Sequence, residues 1–153
     1  MKRFYLTLLL IAVFTCQSVV LAQNKVLSLN GENESCMIVN PINSFPATQI
    51  TVEFWMKSSD NSHDGTSISY ASTASHNEFL LYDYNDYRNF SPHIHGDMVS
   101  TNISKSDGIW HHVAITWESL DGTLKLFIDG VPAFSHQLSK GRTLADGGSF
   151  AIG

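Results

Sequence analysis

Cysteine is nearly absent from the chain: two among 153 residues, Cys16 and Cys36. Basic residues are also few, 9 Lys and Arg against 14 Asp and Glu, for a formal net charge of −5. That balance disfavours a phosphate backbone as partner, so no nucleic-acid role is expected. It is compatible with a hard cation such as calcium. No apolar run reaches the ~20 residues that a membrane-crossing helix needs, and no stretch sustains a helical period. Catalytic signatures are missing too. There is no Gly-x-Ser-x-Gly, no Walker loop and no Cys-x-x-Cys pair. The Glu-x-Asp-x-x-Glu arrangement that would place two carboxylates on one strand face for glycoside hydrolysis is also absent. An enzyme is therefore not expected.

The N-terminus has its own logic. Lys2 and Arg3 precede the apolar run FYLTLLLIAVF (4–14), and VLAQ (20–23) then offers Val20 and Ala22 as short side chains before a cut. A charged start, an apolar middle and a small-residue end read as a secretory signal peptide over residues 1–22, with a secreted, extracellular domain over 23–153. A lipid-bearing Cys16 fits less well, because bulky Phe14 and branched Thr15 stand just before the thiol. Cleavage would remove Lys2 and Arg3 and leave the rest more acidic. Only Cys36 would remain, so no internal disulfide is expected. Either Cys36 is a buried small hydrophobe, or its partner lies outside this sequence. Three Asn-x-Ser sequons, at Asn33, Asn89 and Asn102, are glycosylation candidates in a secreted chain.

The remainder reads as short strands separated by turns. KVLSLNG (25–31) alternates and ends at Asn30-Gly31. SCMIVNP (35–41) is apolar and is expected to stop at Pro41. QITVEFWMKS (49–58) puts Val52, Phe54 and Met56 on one face and Thr51, Glu53, Trp55 and Lys57 on the other, the period of a strand. SISYAS (67–72) and NEFLLYDY (77–84) form two more strands around TASH. HHVAITWES (111–119), TLKLFID (123–129) and VPAFSHQL (131–138) are joined at Asp121-Gly122 and Asp129-Gly130. Asp-Gly between alternating apolar runs marks a hairpin, so a three-strand meander is predicted. SFAIG (149–153) resembles the start of a further strand and would leave a sheet edge open. The fold class is all-β, an antiparallel two-sheet β-sandwich of the jelly-roll type, incomplete, as in a fragment.

Several residues invite functional readings. Adjacent His111 and His112 point to opposite faces of a strand, so they cannot chelate one ion as a pair. His112 shares a face with Ala114 and Thr116, and His111 with Val113, Ile115 and Trp117. His93 and His95 are better spaced for a metal, with Asp97 the nearest candidate third ligand, but no third ligand is evident and a solvated strand or loop is the expected reading. Trp55, Trp110 and Trp117 could stack on sugars, although aromatics in a sandwich are more often core. Trp117 continues an apolar stripe and is expected to be buried. Tyr82, Tyr84 and Tyr87 alternate with polar residues in LYDYNDY and suit an exposed rim.

The segment His112-Val113-Ala114-Ile115-Thr116-Trp117-Glu118-Ser119 resembles the pentraxin signature, His-x-Cys-x-(Ser/Thr)-Trp-x-(Ser/Thr). His112, Thr116, Trp117 and Ser119 match, and Ala114 stands where the family has cysteine. TVEFWM resembles the strand that carries the partner cysteine, with Glu53 in its place. The likeness extends over roughly residues 25–153, to the threshold of the family's calcium loop. The broader laminin-G-like group shares the sandwich and lacks this disulfide, and VLSLNGENE leans that way. The resemblance implies a non-catalytic, calcium-dependent, lectin-like protein. Such a protein binds carbohydrate or phosphorylated head groups, often as a homo-oligomer. The alternative it leaves open is an adhesion or structural module of a larger extracellular protein. The family's Asp-Asn calcium pair reads here as His76-Asn77. Asn77 matches as a metal ligand and His76 does not, since imidazole suits a hard cation poorly. The other ligands would follow Gly153. The missing disulfide also places Glu53 near His112, and a contact between them is expected.

Overall fold

The computed structural model describes residues 25–29, 36–83 and 89–153; the predicted signal peptide lies outside them. The strands are β1 (Met37–Ile42), β2 (Gln49–Met56), β3 (Gly65–Ala71), β4 (Phe79–Asp83), β5 (Phe90–Ile94) and β6 (Asp97–Met98). They continue with β7 (His111–Glu118), β8 (Thr123–Ile128), β9 (Val131–Gln137) and β10 (Gly148–Ile152). They form two antiparallel sheets, one ordered β1-β10-β3-β4-β5-β6 and the other β2-β7-β8-β9. The sandwich class and the meander β7-β8-β9 agree with the sequence reading.

Alternation decides which side chains meet between the sheets. On β7, Val113, Ile115 and Trp117 are buried while His112 and Thr116 are only partly covered. On β8, Leu124, Leu126 and Ile128 point inward. From the other sheet come Ile68, Tyr70, Phe79, Leu81, Phe90 and Ile94. Each such side chain contributes about 1.5–3 kcal/mol when taken out of water, so this single cluster is the main source of stability. Tyr70 also serves the backbone: its hydroxyl donates to Ala145 O at 2.9 Å and accepts from Gly148 N at 2.9 Å. Gly148 lies so close that an added Cβ would meet Ala71 O at 2.2 Å and the Tyr70 ring at 2.7 Å. Only glycine fits there.

The β8–β9 turn has Asp129 and Gly130 at φ 53° and 77°, the left-handed pair that a two-residue hairpin demands.

Three expectations are corrected. KVLSLNG yields no strand within its described part, residues 25–29, because no neighbouring edge pairs with it there. The strand in SCMIVNP continues through Pro41 to Ile42, with a register break between Val39 and Ile42. Proline is tolerated because β1 is an edge strand, where one N–H can be forgone. Finally, the C-terminal strand is not an open edge. β10 pairs with β1 on one side and β3 on the other, and the outer strands of that sheet are β1 and β6.

Candidate functional site

The strand β7 lies between β2 and β8 and sorts its residues by face. Glu53 stands directly opposite Ala114, and Trp55 opposite His112. The family's cysteine positions are thus cross-strand partners occupied by a carboxylate and a methyl group. The expected contact is present: His112 Nε2 lies 3.4 Å from Glu53 Oε2. The Trp55 and His112 rings are 5.3 Å apart.

His111 faces the other way. It is 4% exposed, and its Nδ1 meets Asp129 Oδ2 at 2.7 Å while its Nε2 meets Asp107 Oδ2 at 2.9 Å. A ring with a carboxylate at each nitrogen must donate from both, so it carries a proton on each. The hydrogen bond to Asp129 chiefly holds the imidazole above its ordinary range, with Asp107 adding to it. The bond to His111 in turn holds both carboxyls below theirs. Asp129 Oδ1 also accepts from His112 N at 2.9 Å. The trio ties the approach to β7 and the β8–β9 turn together.

The other matched signature residues hold the frame. Trp117 Nε1 donates to Leu138 O at 2.9 Å. Ser119 donates its hydroxyl to Arg142 O and its N–H to Thr48 O at 2.8 Å. Thr116 lies opposite Thr51 and Lys125 and lines a shallow groove of about 340 Å³ with Gln49, Glu118 and Thr123.

Asn77 sits before β4 and is exposed, as is His76. The Asn77 backbone is engaged, its N–H with Ser75 Oγ at 3.2 Å and its carbonyl with Gly96 N at 2.8 Å. The neighbouring Glu78 is fully buried. Its Oε1 accepts from Ala145 N at 2.5 Å and its Oε2 lies 2.9 Å from His95 Nδ1. Glu78 therefore points inward and braces the loop. Among the described residues no three His, Cys, Asp or Glu side chains converge as a metal set. A calcium ion at Asn77 would find one amide oxygen there, too little for the six to eight oxygens it takes.

The metal alternative weighed for His93 and His95 finds no support among the described residues. His93 ends up beside Tyr82, ring centroids 6.3 Å apart, with neither ring nitrogen hydrogen-bonded; burial lowers its pKa. His95 lies past the end of β5 with φ 51°, which swings its ring to Glu78. Asp97 instead accepts from Ser139 Oγ at 2.8 Å.

Tyr84 and Tyr87 lie outside the described residues, as does Asn33. Asn89 donates to Ser100 Oγ at 2.5 Å and accepts from Asn102 N at 2.6 Å. Asn102 is exposed. Cys36 is exposed and free, which removes the reading of a buried small hydrophobe.

Two tryptophans depart from the expectation of core aromatics. Trp55 is 65% and Trp110 47% exposed. For Trp55 the signal was in the sequence, since it alternates with Phe54 and Met56 and so must face out. Asp83 escaped notice altogether. It is fully buried on the inner face, and among the described residues Ser67 Oγ donates to it at 3.2 Å.

Residues 30–153 match the family model of the concanavalin A-like lectin/glucanases superfamily, Laminin_G_3. The chain is 45% identical over 107 residues to a Rattus norvegicus protein with sushi, von Willebrand factor type A, EGF and pentraxin domains. That match takes in 68% of this chain and 3% of the relative. It is 31% identical over 94 residues to C-reactive protein of the same species, covering 61% of this chain and 40% of that protein. Among solved structures, the native heptameric SAP-like pentraxin of Limulus polyphemus superposes with a TM-score of 0.62 at 24% identity. It covers 76% of this chain and 57% of the pentraxin chain. The chain thus spans well under two thirds of each of these proteins.

Proposed function

Because the chain belongs to the concanavalin A-like lectin/glucanases superfamily, with pentraxins among its relatives, we propose that it is a non-catalytic, lectin-like recognition module. It is secreted through residues 1–22 and binds carbohydrate or phosphorylated head groups. The observation that carries this reading is the division of labour on β7. Trp117 and Ser119 are spent on the frame, while the outward His112, Thr116 and Glu118 are only partly covered. Asn77 contributes one amide oxygen to calcium, and the remaining ligands come from outside the described residues. Self-association belongs to the same reading. The edge strand β1 exposes Met37, Ile38 and Val39, the kind of apolar edge that pairs with another chain, and the Limulus relative is a heptamer.

The test is retention on phosphocholine and galactose resins in millimolar calcium, followed by elution with chelator. Elution by chelator, with loss of retention in Asn77→Ala, supports the calcium-linked reading. Retention that ignores both changes favours the alternative, a laminin-G-like adhesion module with no calcium-linked ligand.

A further inference from the structure

Two of the Asn-x-Ser sequons lie side by side where the chain after β6 runs along β5, and the fold treats their asparagines in opposite ways. Past Met98 the segment 99–103 stays against β5. Val99 N donates to Pro92 O at 3.2 Å, Thr101 N to Phe90 O at 3.0 Å, and Phe90 N to Ile103 O at 2.8 Å. The Thr101 hydroxyl donates to the same Phe90 carbonyl at 2.7 Å. Alternation then sorts the side chains. Val99, Thr101 and Ile103 turn towards the core, and Met98, Ser100 and Asn102 are exposed.

Asn89 is consumed by this junction. Its Nδ2 donates to Ser100 Oγ at 2.5 Å, and its Oδ1 accepts from Asn102 N at 2.6 Å. The rest of its sequon is interior, with Phe90 0% and Ser91 1% exposed. Asn102 joins through its backbone N–H, while its side chain stays in solvent. Its φ of 58° is a left-handed value that asparagine tolerates better than most residues.

Chemistry sets what each asparagine can carry. In N-glycosylation the asparagine Nδ2 bonds to the anomeric carbon of an oligosaccharide carried on a lipid diphosphate. The anomeric C–O bond breaks, the lipid diphosphate leaves with the electron pair, and the amide gives up one proton to a base of the oligosaccharyl transferase. Transfer acts on the newly extended chain, so selectivity between the two sequons comes from what the fold then accepts. A sugar on Asn89 would have to stand where Ser100 packs against its Nδ2, and β5 could not close on 99–103. Such chains fail to fold and stay in the cell. A sugar on Asn102 projects outward and displaces only water.

We infer that the secreted chain bears an N-linked oligosaccharide on Asn102 and none on Asn89. The inference rests on secretion through residues 1–22, because the sequon is an acceptor only in a secreted chain. The position gives the glycan a task. β6 forms one outer edge of the six-stranded sheet, and an uncovered edge invites pairing with another chain. A bulky, hydrated glycan at Asn102 covers that side and leaves β1, the opposite edge, open to a second copy.

The experiment is expression of the chain in cultured animal cells, in an Asn33→Gln background that silences the remaining sequon. One form keeps residues 1–22, and a second replaces them by a proven secretion leader. Protein from the medium is treated with peptide N-glycosidase in heavy-oxygen water, which turns a glycan-bearing asparagine into labelled aspartate, and is mapped by mass spectrometry. Label is expected at Asn102 and not at Asn89. Asn102→Gln and Ser104→Ala should each abolish the gel shift that the enzyme causes, and Ser104→Thr, which keeps the sequon, should retain it. On sedimentation the Ser104→Ala protein should self-associate further than the Ser104→Thr protein. Absence of the first form alone from the medium overturns secretion through residues 1–22 and leaves the second form to decide the glycan. The inference is overturned if the second form is not secreted, is unlabelled at Asn102, or carries label at Asn89. Equal sedimentation of the two Ser104 variants refutes the covering of the edge.

Discussion

Asp83 makes the sharpest demand on the physics of this fold. It ends β4 on the same face as Phe79 and Leu81, with Phe90 opposite it on β5, so its carboxyl is delivered into the sandwich interior. It is fully buried; among the described residues Oδ1 has no partner and Oδ2 accepts from Ser67 Oγ. Burial of the charge pushes its pKa up from 3.8 to about 7, against a small opposing effect of the Ser67 bond. The sign follows from proton binding. Between the unfolded and folded pKa values the native state holds a proton that the unfolded chain has released, so stability falls as pH rises through that window. At 1.36 kcal/mol per unit, the full loss approaches about 4 kcal/mol by neutral to mildly alkaline pH.

Asp83→Asn removes the ionisation while nearly keeping the shape. The new amide still accepts from Ser67, but its NH₂ arrives without an evident acceptor, at a cost of about 1–3 kcal/mol. The variant should thus be equal to or slightly weaker than the parent at about pH 4.5, and stabilised by about 1–3 kcal/mol at about pH 8. Urea unfolding at both pH values, followed by Trp117 fluorescence, measures the difference. An Asp83→Asn effect of the same size and sign at the two pH values would refute the reasoning, because only the ionisation of Asp83 distinguishes them.

Other perturbations test other parts of the frame. His111→Asn should lower the melting temperature most between about pH 4 and pH 6.5, where both aspartates are charged and an unfolded histidine is protonated. The raised His111 pKa makes its share fade as pH climbs through the folded value, and the lowered Asp107 and Asp129 values make theirs fade in acid; a pH-independent effect would contradict the double ion pair. Gly148→Ala should destabilise by about 1–3 kcal/mol through overlap with Ala71 O and the Tyr70 ring, read by chemical denaturation. In a Cys36→Ser background, Glu53→Cys with Ala114→Cys should form a disulfide, because the two positions are cross-strand partners. It should add about 2–4 kcal/mol, with free-thiol titration as the check.

The legible part of the sequence was the part written in alternation and turns. Asp129-Gly130 needed its left-handed pair of φ values, and VEFWM needed Val52, Phe54 and Met56 on one side; both constraints are local, so the sequence carries them. The placement of β10 between β1 and β3 is not local. It depends on Gly148 letting the chain pass within contact of Tyr70, 78 positions upstream, and nothing in SFAIG announces that. The place of His95 is hidden for a similar reason. A period of two presumes a continuing strand, and the positive φ at His95 ends it, handing the ring to the buried Glu78. Asp83 falls within the predicted strand NEFLLYDY, but an acid on a strand is ordinarily assigned to the solvent face, and here it takes the inner one.

The residues that identify β7 therefore say little about what is bound. Trp117 and Ser119 reach the segment between Leu138 and Arg142 and fasten it beneath the sheet, a task that any sandwich with this connection shares. His111, Asp107 and Asp129 close the opposite end of the strand. What differs from one such protein to the next must then lie on the outward positions, and here those on β2 and β7 include Trp55, Glu53 and His112. Glu53 and Ala114 face each other across β2 and β7. With no disulfide bridging β2 and β7 there, the outer face gains a carboxylate beside an imidazole and the open indole of Trp55. A likeness in the signature argues for the fold, and recognition has to be argued from the residues that alternate with it.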